Sequence, residues 1–223
     1  MFSQADFADG IISGLIEHNP DAPQQFEPQL ILNDLQAGRK TLEYILDNIR
    51  LCHSFTMAVA FITRSGVACL HQTLKEFGQR GGKGKILVST YLNFSDPAAI
   101  RALSEFEGLQ VCFVTEPNFH GKTYLFEHAE YAQIMVGSSN LTQNALGKNT
   151  EVNLGLCVQR NSSLYQQTKS QLDHWVSKAK GLSSDTLDAY EQAWKEAKGR
   201  VHRAPPSAVP EEIFSEVVQA KQN

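Results

Sequence analysis

Apolar side chains recur along this chain at two kinds of spacing, which predict two kinds of element. Intervals of three and four residues, typical of amphipathic helices, mark the stretches 3–18, 41–51, 65–77, 97–106, 161–180 and 185–198. Short apolar runs, typical of buried strands, mark 30–32, 55–62, 86–92, 109–114, 132–136 and 151–158. Helices and strands alternate in the first half, and strands follow one another later. This order predicts an α/β sandwich with a central mixed sheet flanked by helices.

Caps and breaks fix some boundaries of these elements. Asp96-Pro97 is a strong helix start, with Asp96 as the N-cap and Pro97 at the first helical position. Gly10 and Gly14 weaken the helix prediction for residues 3–18. Residues 78–85 are rich in glycine and basic side chains, which predicts a flexible basic loop.

The chain has 223 residues, enough for one domain with a sizeable core and an appendage. We expect an N-terminal helix and lead-in over 1–38, a main domain over 39–180, and a helical C-terminal extension with a linker over 181–223. Within the last segment, residues 202–207 are predicted to be the linker and 211–220 a short terminal helix.

Composition narrows the class of protein. No apolar run reaches transmembrane length, and residues 1–6 lack the basic start of a signal peptide. The four cysteines are widely spaced and are expected to be free thiols in a reducing cytosol, so we expect a cytoplasmic protein. The net charge of −4 counts mildly against nucleic-acid binding, although a local cleft can still be positive.

A histidine, a lysine and an asparagine are placed where two neighbouring strands could hold them around one phosphate. His120 and Lys122 are two residues apart, so in a strand their side chains share a face. The apolar run 132–136 predicts the next strand, and Asn140 follows it in a Gly-Ser-Ser bend. Backbone N–H groups in such a bend can also face an anion.

His-x-Lys followed by Gly-Ser-x-Asn resembles the HKD motif of the phospholipase D superfamily. The segments 58–63, 89–94 and 137–142 agree with it. Together they resemble the phospholipase D-like nuclease domains found at the N-terminus of some bacterial superfamily 2 helicases and in restriction-type nucleases. The resemblance covers roughly residues 40–160, and it implies a phospholipase D-like α/β sandwich.

The resemblance also implies a chemistry. His120, Lys122 and Asn140 would be catalytic, and DNA would be cleaved without metal or cofactor through a phosphohistidine. The family uses two motifs whereas this chain has one, which implies a homodimer whose two His120 side chains share the site. The resemblance further implies a restriction or phage-defence role beside a helicase domain or subunit.

Further residues are assigned supporting roles. Glu151 occupies the position of a glutamate that orients the histidine in single-motif relatives, and the alternative is a surface carboxylate. Ser139 is a candidate hydrogen-bond partner of the phosphate or the histidine, and Ser138 either does the same or makes the turn. Glu127 stands where the family usually has aspartate. Since it is five residues from Lys122, we expect it on the opposite face, in support.

The segments 80–85 and 91–94 could each contact a ligand. Arg80, Lys83 and Lys85 could contact a phosphate backbone, or the glycine-rich loop could be a solvated connector. The residues Tyr91, Asn93 and Phe94 follow a strand end, where α/β sheets often bind ligands, although core packing explains the two aromatic residues equally well.

The sequence supports other functions less well. A degenerate domain that grips nucleic acid or a partner is one alternative, and a phospholipid-cleaving enzyme is another. A P-loop is disfavoured because Glu116 stands where its first glycine belongs. A metal site at His128 fits no common ligand spacing, and a polar hairpin tip is the better interpretation.

Overall fold

The computed structural model describes residues 2–33, 40–114 and 116–201, and within them forms one eight-stranded mixed sheet. The strands are β1 (Gln29–Leu32), β2 (Ser54–Val59), β3 (Lys83–Ser89), β4 (Leu109–Val114), β5 (Lys122–Glu127), β6 (Ala132–Gly137), β7 (Val152–Val158) and β8 (Lys180–Gly181). Their spatial order is β1-β7-β6-β5-β2-β3-β4-β8. Strands β2, β3 and β4 are parallel, and every other neighbouring pair is antiparallel.

Seven helices accompany the sheet in the described residues. They are α1 (Gln4–Leu15), α2 (Thr41–Leu51), α3 (Arg64–Gln79), α4 (Pro97–Ser104), α5 (Gln143–Gly147), α6 (Ser163–Lys178) and α7 (Ser184–Val201). Helices α2, α3, α4, α5 and α7 contribute to the main core on one face of the sheet. Helix α6 packs on the opposite face, where Tyr165 and Leu172 are buried. The predicted α/β sandwich with a mixed sheet and flanking helices is therefore confirmed.

The two outer segments join this sheet. Strand β1, from the predicted lead-in 1–38, pairs with β7, and β8, at the boundary of the predicted extension 181–223, pairs with β4. In α7, Leu187 and Tyr190 are buried in the main core. The predicted linker 202–207 and terminal helix 211–220 lie outside the described residues.

The predicted helices at 3–18, 41–51, 65–77, 97–106, 161–180 and 185–198 are confirmed within a few residues. In α1, Gly10 and Gly14 serve close packing, because a Cβ at each would lie 2.6 Å from Phe26 Cβ and 2.7 Å from Pro28 Cδ. The glycines that weaken the helix by propensity thus let it approach the next segment.

The predicted basic loop over 78–85 is wrong at both ends, since α3 continues to Gln79. Strand β3 begins at Lys83 and not at residue 86. Gly84 is a strand residue whose missing side chain makes room for Phe55, since a Cβ there would lie 2.5 Å from that ring. Gly84 is therefore required by packing and not by a turn.

The expectations for membrane spans and for the cysteines concern the whole fold. Among the helices of the described residues, none combines the length and apolar content that a membrane span needs. All four cysteines carry free thiols, and Cys52, Cys112 and Cys157 are buried.

Candidate functional site

The predicted catalytic residues meet at one edge of the sheet, which we call the site edge. Strands β2 and β3 end there, and the antiparallel strand β5 begins there. Strand β6 reverses direction and ends there, so β7 begins at the same edge. The topology therefore brings together the segments that carry His120, Lys122, Ser138, Asn140 and Glu151.

His120 and Lys122 form the centre of the site. The Lys122 ammonium donates to the His120 carbonyl oxygen at 2.7 Å and lies 2.8 Å from Nδ1 of the same residue. Lys122 is buried, whereas His120 is exposed. Loss of solvent, and then the positive charge of Lys122, lowers the pKa of His120. This shift favours the neutral imidazole, which is the form that can attack phosphorus.

Asn140 is fixed by the end of the neighbouring strand β2. Its Oδ1 accepts a hydrogen bond from the backbone N–H of Phe61 at 3.0 Å. The next residue, Leu141, forms a parallel bridge with Ile62, and Thr142 is the N-cap of α5. Because Phe61 uses the carbonyl oxygen, the amide nitrogen is the group that Asn140 can offer to a phosphate oxygen.

Ser138 and Glu151 form a pair beside Lys122. The Ser138 hydroxyl donates to Glu151 Oε2, and Asn149 Nδ2 donates to Oε1 at 3.4 Å. Loss of solvent lowers the pKa of Lys122, and the negative charge of the buried Glu151 opposes that shift. In the described part of the chain Glu151 bonds to Ser138 and Asn149 and not to His120, so its orienting role stays a prediction.

Ser139 is a structural residue, which corrects its expected role as a phosphate or histidine partner. Its side chain is fully buried, and its hydroxyl accepts a hydrogen bond from Asn153 Nδ2 at 2.9 Å. Asn153 Oδ1 accepts from the Ser139 backbone N–H at 3.1 Å, and the Tyr124 hydroxyl donates to the Ser139 carbonyl at 2.8 Å. Sequence reasoning missed Asn153, whose signal was a polar residue on the core-facing side of a strand.

The structure does not bring Arg80 and Lys83 to the site. Lys83 begins β3 while His120 lies at the edge where β3 ends, about 20 Å along the strand. The Arg80 guanidinium donates to the carbonyl oxygens of Ile49 and Cys52. Arg80 therefore ties the end of α2 to the end of α3, which corrects its expected role as a phosphate contact at this site.

Glu127 has the supporting role that its spacing predicts. It lies at the far end of β5 from Lys122 and accepts hydrogen bonds from the Tyr165 hydroxyl at 2.6 Å and Ser54 Oγ at 2.9 Å. Burial opposes its ionisation, but these hydrogen bonds leave the pKa of Glu127 lowered. Glu127 therefore anchors α6 to the sheet.

His128 lies in the hairpin connection between β5 and β6, as expected, but its side chain is buried. Only 4% of the residue is exposed, and its Nε2 lies 3.1 Å from Asn48 Oδ1. Its ring stacks on Tyr131, with ring centroids 4.5 Å apart. Burial lowers the pKa of His128 to about 4.

Aromatic side chains form the rim of the site. The Phe61 and Tyr91 rings lie edge-on to His120, with centroids 5.3 and 6.4 Å away. Phe94 meets Phe61 at 5.2 Å and is 57% exposed, which rules out core packing as its explanation. The segment 91–94 therefore borders the site, one of the two interpretations that the sequence left open.

The chain matches the family model described as "Cardiolipin synthase, PLD-like domain" over residues 45–175. This match includes every predicted site residue at the site edge. No curated protein matches the chain at a significant level.

Several solved structures have a similar fold. NucT from Helicobacter pylori superposes with a TM-score of 0.56 at 19% identity, covering 70% of this chain and 99% of NucT. Phosphatidylserine synthase from Haemophilus influenzae superposes with a TM-score of 0.54 at 14% identity, covering 79% of this chain and 46% of that one. Nuc from Salmonella typhimurium, a phospholipase D family member, has a TM-score of 0.49 at 21% identity, covering 70% and 99%.

Proposed function

Since the chain belongs to the phospholipase D-like domain family, we propose that it is a metal-independent phosphodiesterase that cleaves DNA as a homodimer. The observation that carries the proposal is the arrangement at the site edge. The His120 imidazole lies beside the buried Lys122 ammonium, and the Asn140 amide is held at the end of the neighbouring strand β2, at the same edge of the sheet. These groups supply a nucleophile and fixed donors for the nonbridging oxygens of a phosphodiester.

In the proposed reaction, a ring nitrogen of His120 attacks phosphorus and the bond to the leaving oxygen breaks. The protonated His120 of the partner subunit gives its proton to that oxygen, leaving a phosphohistidine on the first subunit. Water then attacks phosphorus and gives a proton to the same partner histidine, while the P–N bond breaks and releases His120 and a phosphomonoester. Lys122 and the Asn140 amide hold the nonbridging oxygens throughout, so no step requires a metal.

The homodimer is proposed because one chain supplies one such histidine, and the surface beside the site supports it. Five apolar side chains are exposed on the α6 side of the sheet: Leu30, Val136, Val152, Leu154 and Leu164. We call them the apolar face. Leu154 lies directly opposite Leu30 in β1 and Val136 in β6, so these three side chains form a row across the sheet.

An open groove of about 710 Å³ borders the apolar face between β5, β6 and α6, with Val136, Leu164 and Trp175 in its wall. Val136 directly precedes Gly137, and Val152 directly follows Glu151. The apolar face therefore continues into the site edge. A second copy that docks here by two-fold symmetry would cover the same surface on both chains. The face therefore gives the partner a place close to the catalytic residues.

The substrate class and setting rest on the sequence resemblance. Segments 58–63, 89–94 and 137–142 resemble nuclease domains that adjoin helicases, which favours DNA over phospholipid and a nuclease module in a restriction or phage-defence system. Free buried thiols support a cytoplasmic setting.

The proposal is tested by incubating plasmid and single-stranded DNA with the protein in excess EDTA. We expect cleavage by the wild-type chain and loss of at least about a thousandfold in His120→Ala, which removes the nucleophile. His18→Ala is the matched control, since His18 is exposed and lies outside the site, and it should retain full activity. Cleavage that stops in EDTA would contradict the metal-independent mechanism. DNA binding without cleavage would favour the degenerate domain.

A further inference from the structure

The rim of the site presents an aromatic ring that the catalytic step does not use. Phe94 exposes 57% of its surface, and Leu92 exposes 56%. The ring of Phe61 contacts both Phe94 and His120, at centroid distances of 5.2 and 5.3 Å. Both side chains are therefore open to solvent beside the position where the proposed function places a phosphate.

The backbone that carries Phe94 is held in an unusual conformation. Leu92 and Asn93 have φ values of 54° and 52°, both in the left-handed region. For leucine this region is unfavourable because its Cβ comes too close to the following carbonyl oxygen. Such residues persist where the surrounding structure fixes them, and they concentrate at ligand sites.

Buried contacts fix this turn from below. Ser95 is fully buried, and its hydroxyl lies 3.3 Å from the carbonyl oxygens of Ala60 and Ser89. The Tyr190 hydroxyl donates to the Ser95 carbonyl at 2.9 Å. The turn is thus rigid at its base, and the exposed Phe94 directly precedes the anchored Ser95.

We propose that Phe94, backed by Phe61 and Tyr91, stacks on a nucleobase next to the scissile phosphate. This inference rests on the proposed function and narrows its substrate to single-stranded or unpaired nucleic acid. Aromatic stacking is how single strands are held without sequence preference, because every base has a π-face. In a duplex each base is already covered by its neighbours on both faces, so the ring has no base to meet.

The test measures binding separately from cleavage, in a His120→Ala background. A single-stranded oligonucleotide carrying 2-aminopurine reports stacking by loss of its fluorescence, and titration gives the dissociation constant. We expect quenching on binding, and a roughly tenfold weaker affinity when Phe94→Leu is added, since leucine keeps the apolar volume but has no π-face. Phe94→Trp should restore both quenching and affinity.

Two controls isolate stacking from other roles of Phe94. The first control is an oligonucleotide of the same length with abasic residues. It should bind equally well to the single variant His120→Ala and to the double variant that also carries Phe94→Leu. The second control is Leu51→Ala, which should change neither signal. Leu51 is 71% exposed at the end of α2, near the edge of the sheet opposite the site edge.

The inference is overturned if single strands do not bind, if Phe94→Leu leaves binding unchanged, or if it weakens abasic and ordinary strands equally. It is also overturned if light scattering shows that Phe94→Leu splits a dimer, because the ring would then be covered by the second copy. A wild-type chain that binds and quenches in this way but never cleaves DNA would refute the proposed function and leave the stacking site standing.

Discussion

At the residue scale, a neutral imidazole buried at His128 makes the fold sensitive to acid. The pKa of His128 is about 4 in the folded chain, against 6.5 for an exposed imidazole. Folding therefore opposes protonation at this position. Its stabilising contribution is complete above about pH 6.5 and is lost as pH falls toward 4, by roughly 3 kcal/mol.

We predict that His128→Gln flattens this pH dependence. Glutamine can still donate to Asn48 but cannot take up a proton, so the variant should be less stable at pH 7 and lose less between pH 7 and 4. Urea denaturation at pH 7, 5.5 and 4 measures the change in unfolding free energy. His18→Gln, at an exposed histidine, should keep the wild-type slope. A wild-type slope in His128→Gln would show that groups other than His128 dominate the pH dependence.

The contact between His120 and Lys122 could be predicted from sequence because its geometry is local. His120 and Lys122 are two residues apart, and strand alternation alone puts them together. The position of Asn153 could not be predicted in this way. Its amide nitrogen donates to Ser139, Thr41 and Ile31, which belong to three different parts of the chain. Buried hydrogen-bond networks of this kind depend on tertiary packing.

At the element scale, helix α3 depends on a glycine where it meets the segment after Asn140. A Cβ at Gly66 would lie 2.1 Å from the Leu141 carbonyl oxygen and 2.8 Å from Thr142 Cα. Neither backbone atom can move without displacing the turn that holds Asn140. The close approach of α3 therefore links the core to the site edge.

We predict that Gly66→Ala lowers the unfolding free energy by about 1–3 kcal/mol, because the added methyl group overpacks against backbone. Chemical denaturation measures the loss. Gly147→Ala is the matched control in α5, where the nearest heavy atom to an added Cβ is Lys40 Cδ at 4.0 Å, and it should be close to neutral. Equal stability of the two variants would contradict this description of the packing.

Periodicity predicted most elements, since apolar spacing marks which side of a helix or strand faces the core. It failed for short elements that tertiary contacts create. Helix α5 has five residues and begins at the Thr142 cap, and β8 has two residues that pair with β4. Neither is long enough to carry a repeating pattern.

At the scale of the whole molecule, the two faces of the sheet are covered unequally. Five helices contribute to the core on one face, while α6 packs on the other and leaves the apolar face exposed. The sequence implied a dimer only through the single motif. The sequence suggested no surface for the proposed contact, because the exposed row forms only when β1, β7 and β6 pair.

We predict that Leu154→Lys produces monomers and abolishes DNA cleavage, since a charge in the centre of the apolar face cannot be buried without a partner. Light scattering at micromolar concentration should give about twice the 24.8 kDa chain mass for the wild type and a single chain mass for the variant. Leu51→Lys, at an exposed leucine near the opposite edge of the sheet, should remain dimeric and active. An active Leu154→Lys dimer would place the contact elsewhere.

The most direct test of the shared site is a mixed dimer with one wild-type chain and one His120→Ala chain. The two chains carry different affinity tags, are produced together, and are purified on both tags before DNA cleavage is measured in EDTA. If both imidazoles act on one phosphorus atom, the mixed dimer should be as inactive as the doubly substituted dimer. Half of the wild-type activity would show that each chain works alone, and would contradict the account.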